Sequence, residues 1–303
     1  MRRIVALIAT ALAASLLLGG CAWLDTRQRQ IALRPTPAGP TERALGQPGG
    51  LHPGLRAGDQ PYTLQVPAAS GQGTETLALW WLPHANPDAP TLLYLHGTFR
   101  NLFGNLSKIN ALREAGFAVL AVDYRGWGES AAIVPSEDSI HADALRAWVE
   151  LQKHQPDARR RVIFGHSMGG AVAVHLASTL RGGTDHAALV LESTFTRMPD
   201  VAAEAGFWGR VAASFTTLEF DSLSRIGGIQ VPLLMLHGTA DKTVPVALGR
   251  RLRDAAPPGV TWVEVPGGTH SRLHEEAAAV YRQAMHTLIQ NLPFAAPPPA
   301  AKP

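Results

Sequence analysis

The sequence predicts an α/β domain built on a mainly parallel sheet, and three observations carry that prediction. Apolar strand-like runs alternate with helix-like runs over about 230 residues, the size of one large domain. The later strand-like runs are nearly continuous in Val, Ile, Leu and Phe, as strands covered on both faces must be. Between one such run and the next helix lies Gly165-His166-Ser167-Met168-Gly169, a sharp strand-to-helix turn.

The elements follow in order. Tyr62–Val66 and Thr76–Leu82 read as an opening pair of strands, and Thr91–His96 as a continuous apolar strand. Asn105–Ala115 reads as a helix and Phe117–Val122 as a strand. Ser139–His154 places Ile140, Ala144, Ala147, Trp148 and Leu151 near helical spacing. Arg161–Phe164 is a short buried strand and Ala171–Leu180 an apolar-striped helix. Ala187–Leu191, Val231–Leu236 and Thr261–Val265 complete the strands, and His274–Leu292 is a closing helix. This gives helices on both faces of the sheet and a domain spanning 62–293. A short cap insertion is expected at about 195–228 and a disordered proline-rich tail at 294–303.

The N-terminus carries a separate signal. Arg2 and Arg3 precede an apolar run, Ile4–Leu18, that is short for a membrane span. Leu18-Gly19-Gly20-Cys21 then resembles a bacterial lipobox, which predicts a signal peptide over 1–20 and lipidation at Cys21. Cys21 is the sole cysteine, so it has no disulfide partner within the chain. The expected location is the bacterial envelope, lipid-anchored, on the periplasmic face of the outer membrane. The Arg-, Gln-, Pro- and Gly-rich stretch within 21–61 reads as a flexible tether that stands the body off the membrane. Losing Arg2 and Arg3 reduces the 27 basic residues to 25, against 24 acidic ones. A nearly neutral body gives no electrostatic reason for a nucleic-acid partner.

A serine hydroxyl is a poor nucleophile until a base takes its proton and an acid orients that base. In a sheet of this class such groups collect at the carboxyl ends of strands. Ser167 stands on the turn, with glycines where a side chain would collide with the packed strand and helix. Asp241 lies on the loop after Val231–Leu236, and His270 on the glycine-rich loop after Thr261–Val265. The chain order is therefore Ser167, Asp241, His270. His274 is the rival base, and Glu264 and Asp221 are the rival acids. His166 reads as a packing residue, and His96 and His237 as structural residues near the site. The backbone N–H of Met168, at a helix start, is one expected oxyanion donor; the other is that of Thr98, with Phe99 adjacent.

These stretches are jointly similar to the α/β-hydrolase superfamily. They are LLYLHGT (Leu92–Thr98), AVDYRGWGES (Ala121–Ser130), GHSMGGAVA (Gly165–Ala173) and VPLLMLHGTADKTVP (Val231–Pro245). LESTFTRMPD (Leu191–Asp200) and FDSLSRIGGIQ (Phe220–Gln230) resemble segments around the family's cap. The resemblance is greatest to small-capped, esterase-like or serine aminopeptidase-like members. It implies an α/β-hydrolase fold with a small cap, and Asp123 and Arg125 as an organising polar pair beside the site. Esters, thioesters or amides with short to medium apolar acyl groups are the expected substrates; the sequence has no Cys/His metal-ligand cluster and no Walker-type phosphate loop, and no cofactor and no metal are expected. In the cap, Phe195, Met198, Phe207, Trp208, Phe215 and Phe220 are expected to divide between packing and an acyl pocket. The alternatives are a serine peptidase on short peptides, for which Glu204 and Glu219 are candidate amine anchors, and a non-catalytic envelope lipoprotein that binds lipid or peptide.

Overall fold

The structure is a computed structural model that describes residues 20, 22–39 and 54–293. The expected signal peptide, Cys21 and the 294–303 tail lie outside these residues. Eight strands form one sheet in the order β1-β2-β4-β3-β5-β6-β7-β8. They are β1 (Gln60–Pro67), β2 (Thr74–Leu82), β3 (Thr91–Leu95), β4 (Ala118–Asp123), β5 (Arg161–His166), β6 (Ala188–Glu192), β7 (Leu233–Gly238) and β8 (Thr261–Val265). β1 pairs antiparallel with β2, and β2 antiparallel with β4. Every other pairing is parallel.

Alternation along the strands splits the core in two. Leu93 and Leu95 of β3, with Ile163 of β5, enter one apolar layer; Leu92, Tyr94, Val162 and Phe164 enter the other. A helix at residues 22–33 is α1. The second layer is closed by α2 (Leu102–Glu114) and by the C-terminal helix Ala278–Gln290. The first is closed by α3 (Glu137–His154), α4 (Met168–Thr179) and Val246–Asp254. Each fully buried Leu or Phe in these layers contributes about 1.5–3 kcal/mol relative to exposure.

Helix starts differ from the sequence expectation where a cap replaces apolar periodicity. The α2 helix begins at Leu102, because the Asn101 side chain accepts from the Gly104 N–H at 3.2 Å. The α3 helix begins at Glu137. There Ser136 and Ser139 cap each other reciprocally, at 3.1 and 2.9 Å, with serine in the place usually held by Glu or Gln. The expected closing helix is two helices, α9 (Leu273–Glu276) and α10 (Ala278–Gln290). Ala277 breaks it at φ −134°, ψ 45°. The Glu276 carboxylate is drawn back to accept from the Thr269 amide and hydroxyl, both at 2.7 Å.

Three short helices follow β6: α5 (Met198–Ala203), α6 (Phe207–Ala213) and α7 (Leu223–Ile226). The remaining helix, Val246–Asp254, is α8. Residues 22–39, which fall within the expected tether, pack against the body. Leu33 is fully buried, and residues 36–38 bridge to Gly128 through the Ala38 and Gly128 amides at 2.7 and 2.9 Å. The apolar positions of α1 are too few and too interrupted by Arg and Gln to read as an amphipathic helix alone. The face they pack on exists only once the sheet has formed.

Candidate active site

β4 and β5 flank β3 on opposite sides, so the chain reverses its direction of winding there. A crevice opens beyond the strand ends at such a point. β5 delivers Ser167 to this crevice, and the loop after β3 delivers Thr98.

Ser167 sits at φ 56°, ψ −123°, a conformation that costs a non-glycine residue about 1–3 kcal/mol. Its neighbours hold it there. The Ser167 N–H donates to the Glu192 carbonyl at 2.9 Å, and its own carbonyl accepts from the Thr194 hydroxyl at 2.9 Å. The flanking glycines are sterically required. A Cβ at Gly165 would lie 2.1 Å from the Gly169 carbonyl oxygen, and one at Gly169 would lie 2.1 Å from that of Leu95.

Three residues far apart in sequence meet here. Ser167 Oγ lies 3.0 Å from His270 Nε2, and His270 Nδ1 lies 2.7 Å from Asp241 Oδ2. Asp241 is buried, and its Oδ1 accepts from the Thr243 and Val244 amides at 2.9 and 2.8 Å. Burial pushes its pKa up, but hydrogen bonds from His237 and His270, the charge of His270 and the Val244 amide outweigh that. They hold the carboxyl well below the usual carboxylate range. Asp241 is thus an anion placed to fix the His270 ring and to stabilise a proton on it.

The rival residues are engaged elsewhere. His274 Nε2 contacts the Ser107 hydroxyl at 2.7 Å. Glu264 accepts from Arg250 at the surface, and Asp221 accepts from the Ser224 amide. His237 Nε2 donates to the Val244 carbonyl at 2.9 Å, steadying the loop that carries Asp241. His166 does more than pack: its Nε2–H donates to the His270 carbonyl at 2.9 Å. Burial pushes its pKa well down, so the ring is neutral.

Thr98 and Met168 line one cavity with Ser167, and Phe99 lies beside them. The loop presenting Thr98 is held by two groups. His96 Nδ1–H donates to the Gly97 carbonyl at 2.6 Å, and Trp127 Nε1–H donates to the Thr98 carbonyl at 2.9 Å. The role of Trp127 was not legible in the sequence. The WGES stretch points to it only once β4 is placed beside β3.

Asp123 and Arg125 do not form the expected pair. Asp123 accepts from the Leu102 amide at 2.9 Å and faces His96 Nε2 at 3.4 Å. Arg125 donates to Asp143 at 2.8 Å and to Glu75 at 2.7 Å. β4 ends at Asp123 and the chain turns at Arg125, so the alternation of the strand no longer sets the direction of the second side chain. Beneath the site, buried Glu192 accepts from Lys108 and, at 2.9 Å, from the Tyr281 hydroxyl.

The cavity at Ser167 measures about 900 Å³ and is largely apolar. Phe195, Met198, Val201 and Phe215 of the cap region line it, and Leu24 and Ile31 of α1 form another wall. Phe220 is buried in the core, while Phe207 and Trp208 are exposed. Neither Glu204 nor Glu219 lines the cavity. A separate cleft of about 620 Å³ between β8 and α10 shares no residue with it. Among the described residues, no group of three or more His, Cys, Asp or Glu is placed to hold a metal ion.

Comparison with known proteins places this geometry. Residues 89–224 match the family model described as serine aminopeptidase, S33. An uncharacterized protein of Mycobacterium tuberculosis is 34% identical over 195 residues, covering 63% of this chain and 67% of that protein. The zebrafish (Danio rerio) lysophosphatidylserine lipase ABHD12 is 33% identical over 194 residues, covering 59% of this chain and 50% of the lipase. The chain thus matches only about half the length of that lipase. Among solved structures, an alpha-beta hydrolase from Vibrio vulnificus superposes with a TM-score of 0.66 at 22% identity, covering 86% of this chain and 92% of its own. An esterase of Pyrococcus furiosus superposes with a TM-score of 0.63 at 18% identity, covering 77% and 91%. The sheet order, the turn at Ser167 and these relatives agree, and the chain belongs to the α/β-hydrolase superfamily of hydrolytic enzymes.

Proposed function

We propose that the protein is a lipid-anchored serine hydrolase that cleaves carboxylic ester bonds. The observation that carries this reading is the continuous Ser167–His270–Asp241 hydrogen-bond chain at the floor of an apolar cavity. His270 Nε2 takes the proton of Ser167 as its oxygen attacks an acyl carbonyl. The amides of Met168 and Thr98 donate to the resulting oxyanion. His270 then protonates the leaving group, and Asp241 stabilises the imidazolium in between. Water attacks the acyl-enzyme by the same route, releasing the acid. Thioesters and amides fit the same chemistry. The apolar cavity walls favour an aliphatic acyl group over a charged one. The similarity to lysophosphatidylserine lipases adds single-chain glycerophospholipid esters to the candidate substrates.

Full-length protein treated with a fluorophosphonate is expected to carry the label on Ser167, read by peptide mass spectrometry. The label should vanish in Ser167→Ala, and ester turnover should fall by about 10⁴-fold or more. A Ser167→Ala variant with most of its ester activity intact overturns the reading. The peptidase alternative requires an anchor for a substrate amine, and neither Glu204 nor Glu219 lines the cavity. Faster cleavage of aminoacyl-anilides than of p-nitrophenyl esters would favour it nonetheless.

The anchor itself is proposed at Cys21, on the lipobox-like Leu18–Cys21 stretch. An alkyne-palmitate label incorporated in cells is expected on the wild-type chain and not on Cys21→Ser. Equal labelling of both removes the anchor from this reading.

A further inference from the structure

The mouth of the Ser167 cavity carries an unusual density of exposed apolar side chains. Ile31 is 70% exposed, Phe215 78%, Trp208 77% and Phe207 64%. Ile31 and Phe215 line the cavity itself, and Phe207–Trp208 adjoins Gly209, which also lines it. These residues come from α1 and from α6 with the segment just after it, which lie far apart in the sequence. The Thr217 hydroxyl joins the two sides by donating to Asp25 of α1 at 2.7 Å. An exposed apolar rim of this kind marks a surface that is covered by something else.

The chain preceding the rim indicates what covers it. Trp23 and Leu24, 59% and 61% exposed, stand two and three residues after Cys21. At no more than about 3.6 Å per residue, the site of lipidation lies within roughly 11 Å of Leu24. An acyl chain at the anchor proposed above would thus be joined to the rim by no more than a few residues of chain. Arg27 lies over the Trp23 ring at 5.6 Å and Arg34 over the Phe99 ring at 4.9 Å. Cations beside interfacial aromatic rings match the anionic headgroup layer of a lipid surface.

We propose that this rim lies on the lipid leaflet that holds the anchor, so that amphiphilic acyl substrates enter the Ser167 cavity directly from the membrane. The body is seated on the leaflet by α1 and the exposed face of α6. This proposal rests on the ester-hydrolase and anchor readings above, and it replaces a body held away from the membrane.

The test uses the full-length lipidated chain reconstituted in phosphatidylethanolamine–phosphatidylglycerol vesicles with bromine-labelled acyl chains. Bromine quenches tryptophans that touch the lipid. Trp23 adjoins the anchor and is quenched wherever the body sits, so Trp208 is the informative ring. The quenched fraction is expected to fall in Trp208→Phe; an unchanged fraction overturns the proposal. As a second arm, a Phe207→Ser/Trp208→Ser variant is assayed on two substrates. Turnover of a vesicle-embedded single-chain lipid ester should drop about tenfold or more as interfacial burial is lost, with dissolved p-nitrophenyl acetate unaffected. An equal loss on both substrates assigns the pair to packing and overturns the proposal, as does a detergent-solubilised dimer that this variant dissociates. A wild-type chain inert toward p-nitrophenyl acetate defeats the hydrolase reading instead, and the quenching still reports on the docking.

Discussion

The imidazole of His166 donates to the backbone carbonyl of His270 at 2.9 Å, so the residue preceding Ser167 holds the loop that carries His270. Ser167 and His270 are 103 residues apart, and nothing in the covalent chain keeps them in register. His166 supplies that link directly, from within β5.

Removing it should loosen His270 without removing it. His166→Ala is expected to lower kcat on p-nitrophenyl esters by about 10–100-fold with little change in KM, as small misplacements of a reacting group do. Fluorophosphonate labelling should slow and remain on Ser167. A proportional rise in KM would place His166 in substrate binding instead.

His96 couples the loop that carries Thr98 to pH. Burial lowers its pKa from 6.5 to about 4, while the Gly97 carbonyl pulls it upward. The unfolded chain therefore binds this proton first. The stability contributed by neutral His96 is complete above about pH 6.5 and is lost as pH falls toward 4, about 3 kcal/mol in all. His96→Asn retains an amide donor for Gly97 and cannot titrate. The Tm advantage of the wild type over this variant is expected to shrink steadily from pH 7 to pH 4 by calorimetry. A constant difference would show that His96 does not titrate with folding.

Glu192 joins β6 to the site from below. Lys108→Met would leave its carboxylate buried with, among the described residues, only the Tyr281 hydroxyl as a side-chain donor. Breaking a buried pair from one side costs about 3–5 kcal/mol. Denaturant unfolding should register that loss, and the double change Lys108→Met/Glu192→Gln should recover part of it. A single variant as stable as the wild type would mean that the pair has no net role in folding.

On the proposed ester-hydrolase reading, the cap limits how long an acyl group is accepted. Val201 lines the cavity and is half-buried, so Val201→Phe fills space there without entering the sheet. Hydrolysis of p-nitrophenyl decanoate is expected to fall about tenfold relative to the acetate, within the 1–3 kcal/mol that methylene-scale fit is worth. Equal effects on both esters would direct the acyl chain to a different wall.

The sheet and the local frame of the site are legible in the sequence because they rest on backbone periods and sterics. Continuous apolar runs mark doubly covered strands such as β3 and β5. The glycines at 165 and 169 mark a turn that no side chain could occupy. The order of Ser167, Asp241 and His270 follows from which strand each one leaves. Helix boundaries were less legible at Asn101 and Ser136, where the start depends on one side-chain hydrogen bond rather than on a period.

What only the tertiary structure decided are partnerships between residues that no local pattern connects. Arg125 pairs with Asp143 and Glu75 rather than with Asp123, Trp127 braces Thr98, and His166 braces His270. The same holds for residues 22–33. Their composition reads as a tether, yet they form a wall of the Ser167 cavity. Periodicity records how a segment folds on its own backbone; burial records which surface it meets, and that surface forms only when the β-sheet is assembled.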